Sequence, residues 1–503
     1  MRFPPAPAPF TDRITCVGRF SIDDRVTAPL DVLIDVSPSA AHGIRGWILG
    51  NSATADDIRR VQGRHDGALH FSASTGAETL SSKSAWIRST GSFGRNDEDM
   101  PHGLHGIACG FQCLDLTRRF ERGEESKAPR EVRFLLRGPW PAGLAWWSHE
   151  YSFTGNNKVK LGGSALALGG GLNFSVFVLP HFLHDGVFDR GDEDEDGARR
   201  ERAVSETSVH AMACRTWKSD EYGDEAFLDE ARRAVEDVCL LLSFLAGGMI
   251  TWQGYHRSGP GISERFDRSM SGRVDEKRGH EIVDAQDLRE FLRLAFRRLR
   301  RLRVQGIDLE MPLVSSIVGT QQGVARQRFG EFFLALEALH SLHLESRGKT
   351  FMLEKTVFRK VQSTMGEPLR KALLEQGVRS PRIHERMRAK LGELNRPPLW
   401  DGVKDLMAGL KVDWEDLYAA PAPDRPPFLR LRNRLFHSHG REDDETIYKE
   451  SIRVEAVVHR ILLRWLGWQD LWNAPPPEVR HFVSARALPD HHRLTGRKRR
   501  KRR

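Results

Sequence analysis

Up to about Pro180, apolar and polar side chains alternate in short runs. Leu30, Val32, Ile34 and Val36 alternate with Asp31, Leu33 and Asp35. Val132, Phe134 and Leu136 alternate with Arg133, Leu135 and Arg137, and Leu172, Phe174, Val176 and Val178 repeat the pattern. A period of two puts one set of side chains on a buried face, so these runs predict half-buried β-strands. Many short strands broken by Gly, Pro, Ser and Asp predict a β-rich region of the sandwich or barrel type, not a parallel sheet.

From about Ser205 the period becomes helical. Leu228, Ala231, Val235, Val238, Cys239 and Leu242 form one stripe, stopped by Gly247-Gly248, after which Met249-Ile250-Thr251-Trp252 can return as a strand. A second helix is predicted from about Asp284, with Leu288, Phe291, Leu292, Ala295, Leu299 and Leu302 on one face. The rest of its surface carries Arg289, Arg293, Arg297, Arg298, Arg300, Arg301 and Arg303. That face is either solvated and acid-paired or an RNA-backbone surface. A final long helix is predicted from about Thr446 to Leu466, with Val454, Val457, Val458, Ile461, Leu462 and Trp465 as its stripe.

Composition narrows the class. The chain has 503 residues, 39% apolar and 29% charged, enough for two to four domains with real cores. No apolar run reaches the roughly 18 residues of a membrane span. The start, Met1 to Pro9, has no apolar core of a signal peptide. Five Cys without a Cys-x2-Cys pair fit a reducing compartment, so a cytoplasmic protein is expected. The net charge is +9, but Arg497 to Arg503 are seven consecutive basic residues, and +9 − 7 leaves +2 for the rest. Such a tail attracts polyanions by counterion release; a solubilising extension and a nuclear-import signal are the other readings.

Several local clusters contain ligand or nucleophile side chains. Asp192-Glu193-Asp194-Glu195-Asp196 lacks the Gly and Glu positions of a helix-loop-helix calcium site and is read as part of a flexible linker or loop. His102, His105, Cys109 and Cys113 have zinc-ligand chemistry, but Ile107, Cys109, Phe111 and Cys113 also alternate as one buried strand face. Gly162-Gly163-Ser164 and Gly169-Gly170-Gly171 lack the Gly-Lys-Ser/Thr of a phosphate loop and fit turns or bulges. Cys16 and Cys214 have no base nearby in sequence.

The stretch that carries chemistry is Leu431-Arg432-Asn433-Arg434-Leu435-Phe436-His437. Arg holds a phosphate with a planar, permanently charged fork, and His moves protons near neutral pH. With 20 His in an Arg-rich chain, about two Arg-x4-His spacings arise by chance, and Arg434 to His439 is an overlapping frame. The setting favours the first frame: Asn433 follows Arg432, Pro426-Pro427 precede the helix, and Gly440 stands after it as a stop. At 100° per residue, with Leu431 at zero, Leu435 and Phe428 fall at about 40° and 60° and define a core face. Arg432 falls at about 100°, Asn433 at about 200° and His437 at about 240°. One isolated helix therefore does not aim Arg432 and His437 at one phosphate; two copies across a two-fold axis, or a helix ending just before His437, would.

This stretch resembles the HEPN family, in particular the ApeA-like HEPN domain of bacterial defence proteins, where Arg, a polar residue and then His lie on the third helix of a four-helix unit. Arg326 to Leu339, with its aromatic pair and Leu-Glu ending, resembles the family's first core helix. The resemblance covers roughly Met311 to Ala474, and Leu240 to Gly248 resembles the end of the domain that precedes it. Five segments are then expected: a β-rich domain 1–188, an acidic linker or loop 189–204, a helical part of the ApeA-like N-terminal region 205–310, an all-α HEPN domain 311–474 and a basic tail 475–503. The resemblance implies a homodimer that cuts RNA through the ribose 2′-hydroxyl, with Arg432, Asn433 and His437 as site residues and no cofactor or metal. It also implies anti-phage defence, with a phage-derived trigger as a further partner and the N-terminal region as sensor or regulator. Glu337, at the border of the stripe of Phe329, Phe333, Leu336 and His340, is read as catalytic, as a partner of Arg432 or Arg434, or as solvated. The alternative is a non-catalytic protein using the same helices for dimerisation or RNA binding.

Overall fold

The computed structural model describes residues 12–36, 44–50, 52–62, 68–90, 107–121, 131–138, 150–154, 158–162, 166–168, 174–178, 211–216, 225–259, 262–268, 282–283, 287–418, 424–437 and 443–468. The chain divides into two compact units, Met1–Arg297 and Arg298–Arg503. Among the described residues no helix is long and apolar enough to cross a membrane.

The first unit is built on antiparallel strands. They are β1 (Asp12–Ile22), β2 (Arg25–Val26), β3 (Leu30–Val36), β4 (Ile44–Leu49), β5 (Leu69–Ser74), β6 (Glu78–Thr90), β7 (Ile107–Cys113) and β8 (Asp115–Glu121). β6–β5–β1–β3–β4–β7 run side by side, and β7 pairs back onto β6, so these strands close into a barrel. Closure removes the free edges a sheet of this length would expose. The alternation read in sequence supplies the interior: Leu30, Val32, Ile34 and Val36 of β3 are buried, with Ile14, Cys16 and Phe20 of β1. A short helix, α1 (Ser52–Gln62), adds Ile58 and Val61 to the same core. The rings of Phe20, Phe71 and Phe111 meet at centroid distances of 5.0, 5.0 and 5.3 Å. Glycine makes room for them: a Cβ on Gly46 would lie 2.0 Å from the Phe111 ring, and one on Gly18 would lie 2.5 Å from Phe71.

Cys109 and Cys113 point into this core beside Phe111, and burial pushes both thiols up to about 12. The buried-strand reading of this stretch is the one found; His102 and His105 lie outside the described residues. So do Leu172, the acidic run Asp192 to Asp196, the glycines at 163 and 169–171, and the basic tail.

Along its first residues β6 keeps β5 on one side and takes β8 on the other in place of β7. From there the sheet continues through β9 (Glu131–Arg137), β12 (Leu166–Ala167), β13 (Phe174–Val178), β14 (Ala211–Thr216), β15 (Thr251–Gly259) and β16 (Ile262–Arg268), in the order β8-β16-β15-β9-β14-β13-β12. A separate hairpin pairs β10 (Glu150–Thr154) with β11 (Lys158–Gly162). Helix α2 (Glu225–Ala246) packs on β15 and β9 through the predicted stripe, all of it buried. Gly247 ends it at φ 62°, with Gly248 N donating to Ser243 O at 3.2 Å.

The expectation of a helical 205–310 is corrected here, because β14, β15 and β16 extend the sheet that holds β9. Only the start of β15 was anticipated. A bulge between Trp252 and Gly254 shifts the register and hides the period of two that the sequence would otherwise show.

The second unit is helical, and the division from the first falls within α3 (Leu288–Val304). Its further helices are α4 (Glu310–Gln321), α5 (Ala325–Ser346), α6 (Lys355–Glu375), α7 (Pro381–Glu393), α8 (Leu399–Leu410), α9 (Pro427–His437) and α10 (Asp444–Trp465). α5 packs against α4, α8 and α10, and α9 packs against α10. α10 is buried on more than its predicted stripe: Glu450, Ser451, Glu455, His459 and Arg460 are buried as well. Each needs a polar partner to offset lost hydration. Arg460 grips Asp416 through two bonds of 2.6 and 2.7 Å, Arg328 reaches Glu455 at 2.5 Å, and His459 Nε2 is hydrogen-bonded to Ser316 Oγ at 3.0 Å.

Candidate active site

α9 is a short helix with strong local causes. Pro427 occupies its first position, where the missing N–H costs nothing. The next N–H, that of Phe428, lies close to the Glu450 carboxylate of α10. Glu450 is itself held by the Tyr418 hydroxyl at 3.2 Å and by Arg453. Phe428, Leu431 and Leu435 are buried, as the helical angles require, while Asn433, Arg434 and Phe436 are exposed.

Arg432 lies between these faces, half-buried. Its guanidinium donates to Glu337 Oε1 at 2.8 Å and to Asn433 Oδ1 at 3.3 Å, and sits 5.7 Å from the centre of the Phe333 ring. Of the readings open for Glu337, the partner of Arg432 is the one the geometry shows. Asn433, expected to share a face with His437, accepts from Arg432, because the long Arg side chain spans the angle between them. His437 is the last residue of α9; its side chain, His439 and Gly440 lie outside the described residues.

Arg432 opens onto a cleft of about 620 Å³ lined by Gln322, Arg326, Gln327, Gly330, Glu331, Phe333, Leu334, Glu337, Arg432 and Phe436. One wall is a single face of α5, on which Arg326, Gly330, Phe333 and Glu337 recur at helical spacing. The other wall is Arg432 and Phe436, four residues apart on α9. The Arg432–Glu337 bond and the approach of Phe436 to Gly330 set the two helices antiparallel along the cleft. Two amide side chains, two carboxylates and two guanidiniums thus face one partly apolar groove. That inventory suits a charged ligand with a flat, polar-edged ring.

Arg326, Gln322, Gln327 and Phe436 are the site residues that motif reading missed. The spacing from Arg326 to Glu337 was visible as one helix face, and so was Gly330 among aromatics. Gln322 follows α4, and only the tertiary fold brings it here.

An acid–His contact lies farther along α5. His343 Nε2 is 3.0 Å from Asp405 Oδ2, which also accepts from Arg347 at 2.9 Å. Neighbouring His340 is buried against Gly402 of α8, and burial, with His343 beside it, lowers its pKa. This pair ties α5 to α8 and does not line the cleft.

Compared with known proteins, the chain matches no family model, and no curated protein or solved structure is significantly similar to it.

Proposed function

We propose that this chain is a metal-independent endoribonuclease of the HEPN type, acting in the cytoplasm as a homodimer. The observation that carries the reading is the position of Arg432. The Arg of the Arg432-Asn433…His437 helix lines an open cleft, and its fork is oriented by Glu337. A guanidinium fixed this way can stabilise charge on phosphoryl oxygens without reorganising during the reaction.

The reaction follows from the groups. A base removes the proton of the ribose 2′-hydroxyl, whose oxygen attacks the adjacent phosphorus. The bond from phosphorus to the 5′-oxygen breaks, and an acid gives that oxygen a proton. The products are a 2′,3′-cyclic phosphate and a 5′-hydroxyl. His437 is the acid or base, Arg432 stabilises the phosphoryl charge, and Asn433 orients Arg432. A second copy across a two-fold axis supplies the other proton-transfer group. The resemblance supports an anti-phage or abortive-infection role, with a phage-derived trigger sensed through the N-terminal unit.

One observation favours a second reading. The Arg432–Glu337 pair also fastens α9 to α5, which a non-catalytic dimerisation or RNA-binding protein would retain. Side-by-side substitution separates the two. Arg432→Ala and His437→Ala should each abolish cleavage in vitro and leave the circular dichroism spectrum intact, while His439→Ala should lose little. Cleavage should persist in EDTA and leave cyclic-phosphate ends. Full activity in His437→Ala, or activity lost to EDTA and restored by Mg²⁺, would sink the nuclease mechanism proposed here.

A further inference from the structure

We infer that the cleft between α5 and α9 is a subsite for one unpaired RNA base, stacked on Phe436 and flanked by phosphates at Arg432 and Arg326. This deepens the nuclease reading of the same site and rests on it. Phe436 is 50% exposed, although the other apolar positions of α9 near it, Leu431 and Leu435, are buried. An exposed aromatic ring in a groove with Arg side chains is the usual platform for a base, because every base has a π-face.

The order of groups along the groove fits a strand. Arg326 and Glu337 are eleven residues apart on α5, about 16 Å along the axis. Arg432 stands at the Glu337 end and Arg326 at the other. Between them Phe436 lies over Gly330, with its Cζ 3.5 Å from where a Cβ would be. A larger residue at 330 would fill the middle of the groove. Gln322, Gln327 and Glu331 line the same groove and carry the donors and acceptors a base edge requires.

Paired RNA cannot offer such a base. In an A-form duplex the bases are stacked and their edges lie in grooves that a walled cleft does not enter. The ligand class is therefore single-stranded RNA, or a loop with a splayed base.

The test uses the full chain and short single-stranded oligonucleotides with 2′-O-methyl groups at every ribose, which cannot be cut by 2′-hydroxyl attack. One set carries 2-aminopurine at a central position, and a matched set is abasic there. Wild type should bind the base-containing strand more tightly and quench its fluorescence. Phe436→Ala should weaken that strand roughly 5- to 150-fold, the range of one base stacked on an aromatic ring. It should leave the abasic strand unchanged, and Phe436→Tyr should restore the difference. Arg326→Ala should weaken both strands alike. Equal binding of the two strands by wild type, or an identical loss on both in Phe436→Ala, overturns the subsite. Cleavage of unmodified RNA is scored separately. Base-dependent binding without cleavage refutes the nuclease and keeps the subsite; cleavage with unaltered rate and cut sites in Phe436→Ala does the reverse.

Discussion

Glu337 and Arg432 are each about one-third exposed (34% and 30%), so water screens their ion pair. Such pairs contribute under about 1 kcal/mol to stability. Their value lies in aim, since Glu337 fixes the plane of a fork that must meet a phosphate. Glu337→Ala should therefore reduce cleavage at least ten-fold while the melting temperature moves by no more than a few degrees. Glu337→Gln keeps an oxygen that accepts from Arg432 and should fall between. A large loss of Tm with normal cleavage would make the pair a structural clasp. Much at this scale was readable in advance: Phe428, Leu431 and Leu435 as the core face, and Glu337 beside Arg432 as one option. Arg326 was not singled out, because it precedes Glu337 by three turns and no motif joins them. The pairing of Asn433 with Arg432 escaped helical angles, which place backbone positions and not the reach of a guanidinium.

Helix ends show how elements were found and missed. The stripe of α10 placed its start near Thr446, whereas the helix begins at Asp444 because Asp443 caps it. The Asp443 carboxylate accepts from Thr446 N and Thr446 Oγ1, both at 2.7 Å. Those bonds hold its pKa below the ordinary Asp value. A depressed folded pKa means that the stabilisation is present above the unfolded pKa and is lost as pH falls through the folded one. Asp443→Ala should therefore lower Tm at neutral pH, and the gap from wild type should narrow as the buffer is taken into the acid range. Asp443→Asn, which keeps an acceptor, should cost less. A gap that stays constant down to acid pH would show that the carboxylate charge plays no part in the cap. α6 and α7 gave no clear advance signal. α6 buries no side chain, and Phe358, Gln362, Gly366, Leu369 and Leu373 along one side of it are only half-covered. Most of β15 was hidden for another reason, since Gln253 is buried beside Trp252 at a bulge and breaks the alternation.

At the scale of the whole molecule, local pattern indicated a β-rich part followed by a helical part, but not how the strands close. β6 pairs with β5, β7 and β8, partners from both directions of the chain, and no window of sequence contains that information. Charge can be read from sequence at any scale, and it leads to the last prediction. With Arg497 to Arg503 removed the net charge falls from +9 to +2, so the basic segment dominates long-range attraction to a polyanion. Each phosphate it neutralises releases a counterion and steepens the fall of affinity with salt. Deleting these seven residues should weaken RNA binding at low salt and flatten the slope of log affinity against log salt by several units. Chemistry depends on Arg432 and its neighbours in the cleft, so the cleavage rate at saturating RNA should stay within a few-fold of wild type. An unchanged salt slope would make the segment a solubilising extension. A truncated protein that binds normally yet cannot cut would instead mean that these basic residues reach the α5–α9 groove, and that Arg432 and Arg326 do not hold the phosphates alone.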